Sequence, residues 1–304
     1  MTRVSARIGN YELIDRYAVG GVAEIYRARD VTNGDIVVVK RIRPDLEFDP
    51  EQHAGFIREL QLALMCTHKN LIRGLHKGTH GGNDFAVLEY VDGQDLARVL
   101  KRLKKLPLHL AVYVIAEVLD GMDFAYRLKD ATGKELGLVH RDLAPKNVLV
   151  GYDGRVRVGD FGSSLATKTE PKADAIVGTL GYMSPEQARL EQLDQRSDLF
   201  AIGCMLYELV VGHGAFDVDG KKDLAVLKAH QRGASRPVPA DVPEDLRLVI
   251  EIAMAKDPDD RYATAREMKN GLWKTDHAPS TTTAAQLGAL VRKLFEPEFR
   301  ASRV

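Results

Sequence analysis

Three short polar clusters interrupt apolar runs of the sequence. They are Lys40 after the apolar run 36–39, HRDLAPKN at 140–147 before the apolar run 148–150, and DFG at 160–162. A charged side chain at the edge of a hydrophobic core is costly unless an opposite charge or a bound ligand compensates it. For Lys40 the sequence offers Glu59, which lies beside the apolar stripe of the next predicted helix and can neutralise the lysine.

The second and third clusters supply oxygen atoms that suit a divalent cation or a proton in transfer. Asp142 and Asn147 are five residues apart in a predicted loop, so their side chains can converge on one point. Asp160 adds a carboxylate, followed by a large apolar residue and a glycine. Mg²⁺ prefers such oxygens, and a carboxylate can also accept a proton from a hydroxyl. Taken singly, each cluster is explained more simply by a structural ion pair or a turn, because three-residue motifs are weak evidence.

The composition is that of a globular protein and excludes several classes. Among 304 residues, Lys and Arg total 43, Asp and Glu total 43, and the formal net charge is zero. No overall field therefore draws the chain to nucleic acid or to an anionic membrane. Cys66 and Cys204 are too few for a disulfide framework or a four-ligand zinc site, so we expect free, buried thiols.

Neither a secretion signal nor a membrane span is predicted. The segment 1–17 lacks the apolar core of a signal peptide, and the most apolar stretch, 201–211, contains Glu208. That stretch is also shorter than the roughly 20 apolar residues that cross a bilayer. Together with the cysteine usage, these features predict a cytoplasmic protein.

Periodicity separates a strand-rich first part from a helix-rich second part. Strands are predicted at 11–17, 24–31, 35–42, 71–76 and 85–91, with one helix at 51–65. Helices are predicted at 96–103, 108–129, 195–211, 224–230, 243–255 and 263–273, with a small hairpin formed by 148–150 and 156–159. The predicted domains are 1–91, 92–275 and a final segment 276–304, in which a polar linker precedes an amphipathic helix. Its apolar stripe is Leu287, Leu290, Val291, Leu294 and Phe295, which fits packing on its own domain or contact with a partner.

Together and in this order, the motifs resemble the protein kinase family, in particular the eukaryotic-like serine/threonine kinases of bacteria. VVVK at 37–40 resembles the V-A-I-K strand, HRDLAPKN at 140–147 the catalytic loop, and SPE at 184–186 the A-P-E motif, while DFG at 160–162 is unaltered. The resemblance covers about residues 9–275. It implies a bilobal α+β fold with a five-stranded antiparallel sheet and one helix in the small lobe, and a mainly helical large lobe.

The resemblance also implies ATP and Mg²⁺ as cofactors, with Mn²⁺ as an alternative metal. Asp142 would accept the proton of the attacking hydroxyl, Lys40 held by Glu59 would bind the phosphates, and Asn147 and Asp160 would hold the metal. The implied nucleotide-binding residues are Tyr17, Ala18, Val19, Gly20, Gly21, Val22, Ala23, Glu24, Ile25, Val38, Lys40, Leu88, Glu89, Val91 and Leu149.

Further positions match the bacterial serine/threonine kinases. In GTLGYMSPE at 178–186, Thr179 would hydrogen-bond toward Asp142, a feature of serine and threonine specificity. Asp198 would brace the catalytic loop, and Arg261 would be the buried partner of Glu186. The segment between DFG and Glu186 would be the activation segment, whose hydroxyls are candidate phosphorylation sites or ordinary loop residues: Ser163, Ser164, Thr167 and Thr169.

The sequence departs from the family pattern at three places. In the phosphate-covering loop, Ala18 and Ala23 replace two of three glycines, which places nucleotide affinity in question. Ala144 replaces a lysine that touches the γ-phosphate, so we expect slow turnover. Gly74 replaces a bulky residue that faces the Glu59 helix, so we expect a gap there.

The sequence is compatible with three functions. The first is a protein kinase that acts on proteins with a serine or threonine acceptor, including itself. The second is a pseudokinase scaffold that binds partners without phosphate transfer, although the complete set of catalytic residues argues against it. The third is a small-molecule kinase of the aminoglycoside-phosphotransferase type, which would not carry the 178–186 segment. For the C-terminal helix, self-association or a regulatory partner is the alternative to packing on its own domain, and neither nucleic acid nor a membrane span is expected.

Overall fold

The chain folds as two units, Met1–Val91 and Asp92–Val304. They are seen in a computed structural model that describes residues 7–46, 49–161, 165–166, 178–218 and 223–302. The predicted hydroxyls of the activation segment, from Ser163 to Thr169, and Gly162 of the DFG motif lie outside the described residues. Among the described residues, no helix is both long enough and apolar enough to cross a lipid bilayer.

The first unit consists of an antiparallel sheet and one long helix. Its strands are β1 Arg7–Ile8, β2 Tyr11–Val19, β3 Ala23–Asp30, β4 Ile36–Ile42, β5 Gly74–His80 and β6 Asn83–Glu89, and its helix is α1 Pro50–Met65. The strand order is β1-β2-β3-β4-β6-β5. The α+β prediction is confirmed, but the described part of the sheet has six strands where five were expected. The extra strand, β1, has only two residues and pairs with the start of β2, so it shows no alternation in the sequence.

Alternation along β4 gives this sheet two apolar faces. Val37 and Val39 join one core, which is formed by Ile8, Tyr11, Ala28, Val37, Val39, Phe85 and Val87. Ile42 joins the second core, in which α1 contributes Phe56 and Leu60. Because successive residues of a strand point to opposite faces, Lys40 lies on the same side as Ile42, toward α1.

The second unit is mainly helical. Its helices are α2 Leu96–Leu103, α3 Leu108–Tyr126, α4 Pro185–Ala188, α5 Gln195–Val211, α6 Asp223–Arg232, α7 Glu244–Ala253, α8 Ala265–Trp273, α9 Thr283–Leu294 and α10 Glu296–Ala301. Helices α3 and α5 form the centre of the unit, since most of their residues are buried. The free, buried thiols expected for Cys66 and Cys204 are confirmed, and burial raises the pKa of Cys66 to about 12.

Short strands carry the polar clusters of the second unit. They are β7 Gly93–Asp95, β8 Leu138–Val139, β9 Val148–Gly151, β10 Val156–Val158 and β11 Leu165–Ala166. The predicted hairpin is formed by β9 and β10, which pair antiparallel with Val148 opposite Val158. Asn147 directly precedes β9 and Asp160 follows β10 by two residues, so both emerge at the same end of the hairpin.

The C-terminal segment packs within the second unit. One amphipathic helix was expected, and the structure has two, α9 and α10, with Phe295 between them. Leu287, Val291 and Phe295 of the apolar stripe are fully buried, and the guanidinium of Arg102 lies 3.8 Å from the Phe295 ring centroid. The backbone of α9 approaches the β9–β10 turn so closely that a Cβ at Gly288 would lie 2.7 Å from the carbonyl oxygen of Tyr152. The apolar stripe is therefore part of the unit's own core.

Candidate active site

Lys40 and Glu59 form an ion pair in the first unit. Lys40 lies on β4 opposite Ile25 of β3 and Ala86 of β6, and its Nζ contacts Oε1 of Glu59 on α1. Only 12% of the Lys40 side chain and 11% of the Glu59 side chain are exposed. Since solvent screens such a shielded pair weakly, it links α1 to the sheet and holds an ammonium group at a defined place.

The gap expected at Gly74 is wrong, because the backbone of α1 occupies the space. A Cβ built on Gly74 would lie 2.7 Å from the carbonyl carbon of Ala63 and 2.8 Å from the amide nitrogen of Leu64. Ala63 is one helical turn after Glu59, so this contact sets the distance between α1 and the sheet beside the ion pair. The sequence shows the missing side chain but not the helix that fills its place.

We therefore predict that Gly74→Ala weakens the protein, although alanine adds only one methyl group. The methyl carbon must push α1 away, which costs roughly 1–3 kcal/mol of unfolding free energy and separates Glu59 from Lys40. The matched control is Gly55→Ala on the same helix, where a Cβ meets nothing within 4 Å. That change stabilises a helix interior by roughly 0.5–1 kcal/mol. Urea denaturation checks both, and equal stability of the two variants would contradict the close contact.

Most of the predicted nucleotide-binding residues of the first unit lie on the β2–β3 hairpin, and the others lie on β4 and β6 or shortly after β6. Tyr17, Ala18 and Val19 end β2, Gly20, Gly21 and Val22 form the turn, and Ala23, Glu24 and Ile25 begin β3. The amide of Gly20 donates to the carbonyl of Ala23 at 2.8 Å, and Arg43 donates to the carbonyl of Gly21 at 3.2 Å. Val38 lies on β4, Leu88 and Glu89 lie on β6, and Val91 follows β6. Leu149, the remaining predicted residue, lies on β9 of the second unit.

Asp142 is the centre of a hydrogen-bonded cluster in the second unit. Thr179 donates its hydroxyl to Oδ1 of Asp142 at 2.5 Å, as the sequence predicted. The side-chain nitrogen of Asn147, Nδ2, donates to the Asp142 backbone carbonyl at 2.7 Å and to Oδ2 of Asp142 at 3.1 Å. These contacts fix the carboxylate in one orientation, which is what a group that accepts a proton requires.

Lys146 supplies a cation that sequence reasoning missed. Its Nζ lies 3.0 Å from Oδ2 of Asp142. Ala144, where the resemblance implied a lysine, is 1% exposed and lies within the fold. The catalytic loop therefore has a positive charge at its carboxylate, although it comes from a position two residues later. The four-residue spacing of Asp142 and Lys146 was a signal, but in a loop such spacing does not determine contact.

Asp198 braces the loop from α5, as the sequence predicted. Its Oδ2 accepts from the amide of His140 at 2.7 Å, and its Oδ1 accepts from the amide of Arg141 at 2.9 Å. Arg141 adopts a φ of 67°, and these bonds hold that rarely occupied conformation in place. Burial raises the pKa of Asp198, while the bonds from His140, Arg141 and Tyr126 favour its charged form.

Asn147 and Asp160 provide oxygens suited to a divalent cation. The amide of Gly159 donates to the carbonyl of Asn147 at 3.0 Å, which ties Asn147 to the residue before Asp160. Because the Asn147 amide nitrogen is used by Asp142, its carboxamide oxygen can serve as a ligand. In the described part of the chain, no group of three or more His, Cys, Asp or Glu side chains is arranged to hold a metal. One carboxylate and one amide suit Mg²⁺ that takes its other ligands from phosphate and water, so the residues fit such a cation.

The predicted pair of Glu186 and Arg261 is present and buried. Arg261 donates to Oε1 of Glu186 at 2.7 Å and to Oε2 at 2.8 Å, and Ser197 adds a third bond at 2.7 Å. Burial favours a higher pKa for Glu186, but the hydrogen bonds and charge of Arg261 outweigh it and hold that pKa below its ordinary value. The pair anchors α4, which begins directly after Ser184.

His230 is a second residue that sequence reasoning missed. Its Nε2 accepts the amide of Gly181 at 3.1 Å, and its ring stacks on Phe216 with a centroid distance of 3.7 Å. Burial lowers the pKa of His230 to about 4, so the ring is neutral and can accept this bond at neutral pH. His230 thereby holds the segment that follows Thr179. In the sequence, His230 stands at the end of a predicted helix, and that position does not reveal its burial.

We predict that acid removes stability through His230. The unfolded chain binds a proton at its ordinary pKa near 6.5, whereas the native ring stays neutral down to about 4. Stability from this group is therefore complete above pH 6.5 and falls as the pH drops toward 4, by up to about 3 kcal/mol. Urea denaturation between pH 7 and pH 4.5 should give a shallower pH dependence for His230→Gln than for wild type. The exposed His80 provides the control, His80→Gln, which should keep the wild-type slope.

Comparisons with known proteins match these features. A family profile described as "Protein kinase domain" matches residues 11–273. The chain is 33% identical over 304 residues to tyrosine-protein kinase MasK of Myxococcus xanthus, covering 95% of this chain and 47% of that protein. It is 32% identical over 298 residues to serine/threonine-protein kinase PknB of Mycobacterium leprae, covering 92% and 46%, respectively.

A probable serine/threonine-protein kinase of Streptomyces coelicolor is 35% identical over 294 residues, covering 93% of this chain and 42% of that protein. The chain thus spans about half the length of the curated relatives it matches. The profile match extends from the start of β2 to the end of α8 and includes all three polar clusters. On this evidence the chain belongs to the protein kinase family.

Proposed function

We propose that this chain transfers the γ-phosphate of ATP to serine and threonine hydroxyls of proteins, including its own. The observation that carries the proposal is the cluster around Asp142, in which Thr179, Asn147 and Lys146 fix one carboxylate. A carboxylate so held can accept the proton of an incoming hydroxyl and keep its oxygen in line with the phosphate. A scaffold without activity has no need of this arrangement.

We assign the remaining roles by unit. Residues 1–91 bind ATP: the loop 17–25 covers the phosphates, Lys40 held by Glu59 neutralises them, and Val38, Leu88, Glu89 and Val91 contact the base. Residues 92–275 contain the catalytic and activation segments. Asn147 and Asp160 would hold Mg²⁺, which neutralises developing phosphate charge when bound. The segment 276–304 completes the second unit.

Lys146 takes over part of the role that the family gives to a lysine at position 144. Its ammonium group neutralises Oδ2 of Asp142 while the acceptor hydroxyl is absent, and can turn to the transferring phosphate when both substrates are bound. A cation aimed at developing charge contributes on the order of 3 kcal/mol to transition-state stabilisation. The slow turnover expected from Ala144 is therefore offset in part.

Thr179 supports serine and threonine as acceptors rather than tyrosine. Its hydroxyl donates to Oδ1 of Asp142, a contact that the resemblance to bacterial serine/threonine kinases associates with serine and threonine acceptors. Of the three relatives, one is named a tyrosine-protein kinase, one a serine/threonine-protein kinase and one a probable serine/threonine-protein kinase, so the acceptor must be measured.

The decisive experiment is a transfer assay with radiolabelled Mg-ATP, followed by phosphoamino-acid analysis. The protein itself and a generic basic protein serve as acceptors. Labelled phosphoserine or phosphothreonine is the expected product. Phosphotyrosine alone would overturn the acceptor assignment, and no label with any acceptor or divalent metal would favour the scaffold.

A further inference from the structure

A cavity of about 390 Å³ opens beside the Asp142 cluster, entirely within the second unit. It is formed by α2, the catalytic loop, the segment around Thr179 and the end of α5. Its lining includes Lys101, Lys104, Lys146 and Glu208 as charged residues. Because Thr179 and Lys146 both line the cavity and both contact Asp142, whatever occupies it lies next to the acceptor position.

Four basic residues of α2 and its end divide into two groups. Arg98 and Arg102 face the C-terminal segment, where both approach Glu298 and the ring of Phe295. Lys101 and Lys104 line the cavity instead, and both are exposed. Neither ammonium group forms an ion pair with any residue in the described ranges of the chain. Two positive charges therefore face the cavity without a protein counter-charge.

The other charges of the cavity do not cancel them. Lys146 is paired with Asp142, as described above. Glu208 accepts the hydroxyl of Tyr182, and burial raises the pKa of Glu208. The Glu208 carboxylate is therefore bonded to Tyr182 in the cavity wall. Among the described residues, no hydrogen bond joins it to Lys101 or Lys104. The cavity has an excess of positive charge.

The backbone at Lys104 is also strained. Lys104 has φ 69° and ψ −59°, and the amide of Lys105 donates to the carbonyl of Leu103 at 2.9 Å. This three-residue turn is rare and strained for a residue with a side chain. It is held in place because the amide of Leu106 donates to the carbonyl of Leu209 at 2.8 Å. Strained backbone conformations that the surrounding structure maintains cluster at functional sites. Here the strained residue is Lys104, whose side chain lines the cavity.

We propose that Lys101 and Lys104 select protein segments that carry an anionic side chain close to the acceptor hydroxyl. The anion is a carboxylate of Asp or Glu or a phosphorylated side chain, since each of these groups accepts charge-assisted hydrogen bonds from ammonium groups. This inference rests on the proposed kinase activity, which supplies the acceptor, but it concerns only the choice of substrate.

The test compares four peptides with one central serine, whose flanking positions carry glutamate, phosphoserine, glutamine or lysine. For wild type we expect kcat/KM for the glutamate peptide to exceed that of the glutamine peptide by about three- to tenfold, as two exposed ion pairs allow. The advantage should fall in 0.5 M salt, which screens exposed charges. A larger factor for phosphoserine than for glutamate would identify phosphorylated segments as the preferred class.

Two lysine variants and one control separate charge from structure. Lys101→Glu with Lys104→Glu should reverse the preference between the glutamate and lysine peptides, each expressed relative to the glutamine peptide with the same variant, and Lys105→Glu, on the same turn but outside the cavity lining, should have no effect. Lys104→Gly relieves the strained turn, so it should lose part of the preference without loss of thermal stability. Equal kcat/KM for the glutamate and glutamine peptides in wild type would overturn the proposal.

Fluorescence anisotropy measures the affinity for each peptide without phosphate transfer, so it tests the anionic preference independently of catalysis. Tighter binding of the glutamate peptide, lost in the double lysine variant, supports the proposal even if no phosphate is transferred. In that case the kinase assignment fails while the anionic preference stands. Equal affinities for all four peptides, with transfer to the glutamine peptide intact, would refute the preference and leave the kinase assignment in place.

Discussion

Asp142→Asn is expected to reduce phosphate transfer by about 10²- to 10⁴-fold without changing the affinity for nucleotide. Asparagine has the same shape and can still accept the Thr179 hydroxyl through its carbonyl oxygen, while its NH2 group loses only the contacts of Oδ2 with Asn147 and Lys146. It cannot accept a proton, and a positioned general base contributes about that factor. The measurement is kcat with a peptide acceptor at saturating Mg-ATP, together with the Kd for a fluorescent ATP analogue.

Two comparisons make this result specific. Glu251→Gln removes an exposed carboxylate of α7 and should leave both quantities at their wild-type values. Lys40→Met should lower both transfer and nucleotide affinity, because it removes the cation assigned to the phosphates. Transfer by Asp142→Asn at the wild-type rate would show that another group accepts the proton.

The sequence was sufficient where a local pattern decides the structure. The helices predicted at 96–103 and 195–211 are α2 and α5 with the same bounds, since their apolar residues recur at helical spacing. The ion pair of Lys40 with Glu59 could also be expected, because a lysine that follows an apolar run needs an anion and one lies on the next helix.

The sequence was insufficient where a contact depends on backbone that is distant in the chain. Gly74 predicted a gap, yet the space is filled by the backbone of α1, which no residue type reveals. The burial of His230, and with it the neutral ring that holds Gly181, depends on packing against Phe216. Lys146 was missed because the loop conformation, and not its spacing from Asp142, brings the two charges together.

The C-terminal stripe illustrates the same limit. Its apolar residues were recognised and packing on the chain's own domain was the favoured interpretation, but their spacing alone does not distinguish an intramolecular core from a partner surface. The structure places Leu287, Val291 and Phe295 in the core of the second unit. The deciding features are two glycines, Gly154 and Gly288, which let α9 approach the β9–β10 turn. A glycine in a turn and another in a helix carry no sign of their mutual contact in the sequence.

Arg261→Met is expected to lower the free energy of unfolding by about 3–5 kcal/mol. The Arg261 side chain is 0% exposed, and besides Glu186 it donates to the carbonyls of Ala255, Arg196 and Lys256. Its removal leaves a buried carboxylate without its counter-charge and three carbonyls without a donor. Methionine fills much of the volume, so the loss reflects charge and hydrogen bonding more than a cavity.

The matched control is Arg266→Met, five residues later. Arg266 is 63% exposed and lies 3.3 Å from Asp123, and an exposed pair of this kind contributes only about 0.2–1 kcal/mol. Urea denaturation at pH 7 measures both variants, and a loss in Arg261→Met no larger than in the control would contradict a stabilising buried pair.

A double-mutant cycle separates the pair from its surroundings. Because Glu186 is held below its ordinary pKa, its contribution is present at neutral pH and is lost as the pH falls through that lowered pKa. Glu186→Gln should therefore also be destabilising at pH 7, since it leaves the Arg261 charge without its carboxylate. The double variant should lose clearly less than the sum of the two single losses, because each single change already breaks the same interaction. Strictly additive losses would mean that Arg261 stabilises this region through the three carbonyls alone.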